Sequence, residues 1–194
     1  MSNVFHWDEL EIIRSEAEIL FNGKQKPEKK KVEEFCDYLE FVLCLVYAYG
    51  WHDAEEIVGI VPFKDGGDTE TVNLEIEGKT FRERVTEDSS YEEVLRIIDT
   101  ESHRDYNTGV YEAAEESGVP VMKIWNTMLD DKVREQHRYL EGIEVGLNDL
   151  FYTEDGDSAL YPGGFSDPMN NINCRCVVSL VRGLKERLLR ETLT

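Results

Sequence analysis

His137, Cys174 and Cys176 are the residues of this chain best suited to chemistry. An imidazole and two thiols can bind a borderline-soft metal ion or make a nucleophile–base pair. His137 closes a set Asp131, Arg134, His137 at spacing i, i+3, i+6. On a helix that spacing gives a skewed stripe covering about a quarter to a third of the circumference. Cys174 and Cys176 stand two apart in a strand-like run, so period-two alternation sends both thiols to the same side. Two thiolates and one imidazole, with the Asp131 carboxylate as fourth ligand, would complete a tetrahedral zinc site. The chain has a single C-x-C and no second cysteine pair, whereas the commonest structural zinc sites use paired knuckles. Buried cysteines also serve as small hydrophobes on strands, and a lone histidine is commonly hydrogen-bonded at a core edge. The expectation is therefore no cofactor, with zinc on His137, Cys174 and Cys176 as the alternative. Cysteine–histidine catalysis would need an exposed thiol and an orienting group, for which only the neighbouring Asn173 offers itself.

A second polar set, Arg96, Thr100, Glu101, Arg104 and Asn107, interrupts a helical core pattern. Thr100, Arg104 and Asn107 share one face by their three-to-four spacing, and Glu101 sits beside them. Such a set is either a solvated face with intrahelical pairs worth about 0.3 kcal/mol each, or a buried network. Packed against the 131–137 helix, the network would be costly unless fully paired.

The elements that must position these residues form three zones. Residues 4–21 place Val4, Trp7, Leu10, Ile13, Ala17 and Leu20 at helical period. After a lysine-rich break holding Pro27, a second helix spans 31–49, with Gly50 as its C-cap and a short helix at 51–58. The middle zone reads as a β-hairpin connector over 58–90, because TVNLEI alternates strictly and turn-rich KDGGDTE and Glu77-Gly78-Lys79 flank it. Ser89 or Ser90 caps a long helix carrying Glu92 and Glu93 in its first turn and ending near Gly118. In the third zone, 120–128 is a strand and Asp130 caps a helix to about Leu140, stopped by Gly142. Residues 143–147 form a short strand, 151–171 a loop, 172–181 a last strand and 184–193 a closing helix. The fold class is α+β: an N-terminal helical region (1–57), then a long helix and a small, mostly antiparallel sheet packed on helices (91–182). A C-terminal helical tail (183–194) follows.

Composition narrows the function classes. The chain has 194 residues, and 41 acidic against 21 basic side chains give a net charge of −20. That surface repels phosphate backbones and anionic lipid, so direct nucleic-acid binding is doubtful and protein partners are favoured. The N-terminus lacks the features of a signal peptide, and the longest apolar run is too short to span a bilayer. Cys174 and Cys176 are too close for an unstrained disulfide, and reduced thiols fit a chain made and used in a cytoplasm. Walker A, G-x-G-x-x-G, H-E-x-x-H, G-x-S-x-G and EF-hand patterns are missing; Asp155-Gly156-Asp157 reads as a turn.

One ordered series of residues carries a resemblance. Arg96, Thr100, Glu101, Arg104, Asn107 and Gly109 precede Lys123 and Trp125. Asp131, Arg134, His137, Leu140 and Gly142 follow, then Phe151, Gly156, Tyr161-Pro162-Gly163 and Asn173-Cys174-Arg175-Cys176. In that order and spacing, residues 78–181 resemble the phage Mu F-like head-morphogenesis (minor head protein) family of tailed bacteriophages and prophages. The resemblance implies a virion component near the portal vertex and capsid interior, in few copies, involved in head assembly and the fate of packaged DNA. Its implied partners are phage portal and capsid proteins, and its implied places are the virion and, during assembly, the host cytoplasm. Some relatives carry toxin-like enzymatic domains after this module. The few residues beyond the CRC run lead us to expect no such effector and a non-enzymatic role. The competing reading is a metal-dependent enzyme or nuclease-like module using His137, Cys174 and Cys176.

Overall fold

The computed structural model describes residues 8–63, 67–75, 78–87 and 90–183. The expected contributions of Val4, Trp7, Glu77 and Ser89, and the expected closing helix at 184–193, lie outside those residues.

Two long helices form the frame. α1 (Asp8–Phe21) buries Leu10, Ile13 and Ala17 against α2 (Lys29–Val58). α2 does not stop at Gly50 as expected. It continues for two more turns, because Gly50 has a packing role rather than a capping one. A Cβ on Gly50 would stand 2.1 Å from the carbonyl oxygen of Tyr106 on a neighbouring helix. That neighbour is the long helix Tyr91–Ser117, which begins with the expected cap: Ser90 accepts from the Glu93 N–H while Glu93 reaches back to the Ser90 N–H. It ends at Gly118, whose φ of 62° is left-handed.

Among the described residues of 58–90 the expected hairpin is not formed. α3 (Gly67–Val72) and α4 (Phe81–Thr86) occupy that stretch, and the long helix Tyr91–Ser117 is therefore α5. The strand reading of TVNLEI rested on alternation, but Thr71 and Val72 are both buried, as consecutive positions on a strand facing one core could not be. Among the described residues no strand lies beside them to complete a ladder; Arg104 of α5 takes the Thr71 and Val72 carbonyls instead. Strand propensity yields here to helical neighbours.

The sheet follows α5. β1 (Val121–Asn126) is central, flanked after α6 (Glu135–Arg138) by β2 (Glu144–Gly146) on one side. Past β3 (Phe151–Tyr152), β4 (Ser158–Ala159) and α7 (Pro168–Asn171), β5 (Val177–Arg182) pairs on the other. Both pairings are antiparallel, Lys123 lying opposite Val145 and Leu180. β3 and β4 make a separate two-stranded ribbon inside the long loop. The α+β class expected from sequence is the one observed.

The described residues form three apolar clusters. One joins α1, α2, α4 and α5; a second places α2 and α5 on β1 and β5. The third lies at the far end of β1, where Trp125 meets Leu140, Phe151, Ala159, Phe165, Cys174 and Cys176. Among the described residues, no helix is long and apolar enough to cross a membrane.

Candidate functional site

The third cluster holds the cysteine–histidine set. The helix expected over 130–140 is only the single turn α6. Leu129 is left-handed (φ 54°), and Asp130 caps a turn by accepting from the Lys132 N–H at 3.1 Å while holding Arg175 through two bonds of 2.7 and 2.8 Å. Those commitments bend the chain away from a continuous helix. Arg134, the residue before α6, reaches across to the carbonyls of Asn170 and Ile172 and so binds the end of α7. His137 is thereby carried inward and is 1% exposed.

Cys174 and Cys176 lie just before β5 rather than on it, yet both sulfurs face His137. Asn173 sets them up: its left-handed backbone (φ 56°), a conformation asparagine tolerates well, turns the chain out of α7. Its N–H donates to the Thr100 hydroxyl at 3.3 Å. Nδ1 of His137 is 3.6 Å from each sulfur. The imidazole stacks on Phe165 at 5.4 Å and meets Trp125 edge-on at 5.6 Å. The Cys174 thiol is held below its ordinary range, chiefly by the Cys176 hydrogen bond and further by His137, against the effect of burial. Cys176 is pushed upward by its hydrogen bond with Cys174 and by burial. The two thiols therefore titrate as a coupled pair, with the imidazole beside them. The cavity beside the three residues is ≈ 10 Å³, bordered by Met128, Arg134 and Asn173.

The α5 polar set is a buried network in its centre and a solvated face at its edge. Arg104 contacts the Glu101 carboxylate at 2.6 Å and binds Asp105 at 2.8 Å, and Arg84 from α4 takes the other Glu101 oxygen. Glu101, Arg104 and Asp105 are all buried. Two guanidinium and two carboxylate groups therefore meet with no net charge, and burial pushes the Asp105 carboxyl up despite Arg104. Asn107 works differently. Its Oδ1 accepts from the Val178 N–H at 2.8 Å and its Nδ2 donates to the Cys176 carbonyl at 3.2 Å, so α5 supplies β5 with the partners a neighbouring strand would give.

Two members of the expected network stand outside it. Arg96 is exposed and, among the described residues, pairs with Glu93, 3.7 Å away. Asp131 is exposed, its carbonyl rather than its carboxylate being used, by Arg138. It is therefore not placed as a fourth ligand with His137. A six-residue spacing needs a continuous helix to align its ends, and the turn at 130–134 removes it. The network also does not pack against 131–137; α3 and α4 cover it.

Sequence reasoning missed several participants. Arg84 was hidden because α4 was read as part of a hairpin. Lys123 is fully buried between Val121 and Trp125, and period-two alternation on β1 was the signal that could have found it. Its Nζ donates to the Leu147 carbonyl at 2.5 Å and lies 5.3 Å from the rings of Tyr111 and Phe151. Burial pushes its pKa down to about 8. Asp157 organises the long loop, accepting from the N–H groups of Ser158, Ser166 and Asp167 and from Asn170 Nδ2. The turn reading of 155–157 agrees with a left-handed Gly156 (φ 87°).

Comparison with known proteins gives this geometry its context. The chain is 32% identical over 124 residues to the NAD(+)--arginine ADP-ribosyltransferase EFV of Enterococcus faecalis, covering 59% of this chain and 25% of that protein. It is 31% identical over 84 residues to the minor head protein GP7 of Bacillus phage SPP1, covering 42% of this chain and 27% of that one. The chain thus spans about a quarter of the length of these curated relatives. No solved structure matches it. The family model described as Phage Mu protein F like protein matches residues 65–179, which include α5, the buried network, the loop and the cysteine–histidine set. On that match the chain belongs to the phage Mu F-like family of head-morphogenesis proteins.

Proposed function

We propose that this chain is a minor head protein of a tailed bacteriophage or prophage, a structural component near the portal vertex that acts in head assembly and the handling of packaged DNA. The observation that carries the reading is what the residues carrying the resemblance, all within the matched range 65–179, do. Asn107, Arg134, His137, Asn173 and Cys174 join a long loop and the central sheet to α5, and the ≈ 10 Å³ cavity beside them has no room for a substrate. They make a clasp whose output is a fixed shape. The minor head protein of phage SPP1, similar over 84 residues, supports the same reading.

Partners on this reading are portal and capsid subunits. The N-terminal helices offer apolar side chains to such a partner: Ile12 and Ile19 on α1 are 48% and 83% exposed, and Phe41 on α2 is 55% exposed. A net charge of −20 argues that DNA is handled through those partners rather than gripped directly. Co-expression with the portal and major capsid proteins of the same phage tests this. Co-elution with portal rings or capsid shells is expected. A chain that elutes alone in the presence of both contradicts the proposal.

A further inference from the structure

We infer that His137, Cys174 and Cys176 form a structural zinc site that staples the α6 turn to the segment entering β5. The three ligand atoms lie within 4.8 Å of one another, and Nδ1 is 3.6 Å from each sulfur. A tetrahedral zinc, with bonds of about 2.3 Å to sulfur and 2.0–2.1 Å to nitrogen, sets its nitrogen–sulfur edges at about 3.6 Å. Equal approach to both sulfurs is not what a thiol–imidazole hydrogen bond asks for. As an acceptor Nδ1 has one lone pair and takes one S–H; as a donor its single N–H would be divided between two weak sulfur acceptors. A shared ion accounts for both distances at once.

The surroundings suit thiolate ligands. All three side chains are more than nine-tenths buried. The Cys176 backbone N–H interacts with the Cys174 sulfur, an outer contact of the kind that holds a metal-bound thiolate, and the apolar face of Trp125 closes the cluster from the core side. Soft sulfur and imidazole donors select zinc over magnesium or calcium. The small cavity at Met128 and Asn173 leaves a fourth position with space for one water. On binding, each thiol releases its proton to solvent, and two thiolate charges cancel those of the ion. Two thiolates and a divalent ion leave the buried cluster without net charge. This inference goes beyond the head-protein reading, and its failure would leave that reading standing.

The test is metal analysis of the full chain, made without a histidine tag in zinc-supplemented medium. We expect about one zinc per chain, and after exchange, the thiolate-to-cobalt charge-transfer and d–d bands of tetrahedral cobalt. His137→Gln and Cys176→Ser should cut zinc content at least tenfold, while Cys44→Ser, outside the cluster, should retain it. Because a cysteine variant can misfold, the wild-type chain is also stripped with a chelator and refilled. Stripping should lower the melting temperature by about 10 °C and zinc alone should restore it. A folded wild-type chain that holds no zinc and shows no cobalt bands overturns the inference, as does a Cys174–Cys176 disulfide in the protein as purified.

Discussion

Gly50 and Gly109 face one another where α2 crosses α5, and each meets the other helix's backbone. A Cβ on Gly50 would stand 2.1 Å from the Tyr106 carbonyl oxygen, and one on Gly109 2.1 Å from that of Tyr47. The obstacle is backbone on both sides, so no side chain can swing away. This crossing fixes where α5 presents Arg104 and Asn107.

Gly109→Ala should therefore destabilise the protein despite alanine's better helix propensity. Propensity favours the change by about 1 kcal/mol, and overpacking opposes it by about 3 kcal/mol or more. A net loss of about 2 kcal/mol in urea unfolding is expected; a more stable variant would show that the helices do not approach this closely.

Asn107→Ala removes both partners that α5 gives β5. The Val178 N–H and the Cys176 carbonyl are left without them inside the core, at an expected cost of about 2–4 kcal/mol. Hydrogen exchange should report it locally, the Val178 amide losing protection before the amides of α2. Unchanged protection at Val178 would contradict the role.

How much of this was legible in the sequence depends on the range of the interactions. The Ser90 capping box, the Gly118 stop and β1 are set by residues close in the chain, and they lie where local pattern puts them. Gly50 reads locally as a helix stop; only the presence of α5 makes it a contact. TVNLEI alternates as a strand does, but sheet formation needs a neighbour, and its neighbours are α2 and α5. Among the site residues, Glu101, Arg104, Asn107 and His137 are buried in the clasp and its network. Arg96 lies on the solvent side of the long helix α5, and Asp131 lies in a turn where a helix was expected; helical spacing alone fixes neither.

Arg104 sits between Glu101 and Asp105, at 2.6 and 2.8 Å. Arg104→Met keeps much of the side-chain bulk but leaves two buried carboxylates with only Arg84. We expect a loss of about 3–5 kcal/mol at neutral pH, recovered in part on mild acidification as the carboxylates protonate. A loss independent of pH would mean that bulk, not charge, matters at this position.

Lys123 makes stability depend on alkaline pH. Its neighbours are the Leu147 carbonyl, the rings of Tyr111 and Phe151, and the Asp149 charge. Burial lowers its pKa from 10.5 to about 8, so above that pH the unfolded chain holds a proton the folded one has released. Stability must then rise with pH in that window, by about 1 kcal/mol between about pH 8 and pH 9. Lys123→Met should lack this rise, measured as the difference in unfolding free energy between the two proteins. A difference constant across the window would show that the amine stays protonated.

The central claim is that the clasp serves a phage head, and the composition of particles tests it most directly. Quantitative mass spectrometry of density-purified heads, compared with the soluble fraction of the same lysate, should find this chain enriched in the heads in a few copies per particle. Recovery solely from the soluble fraction, with complete heads devoid of it, would contradict the account.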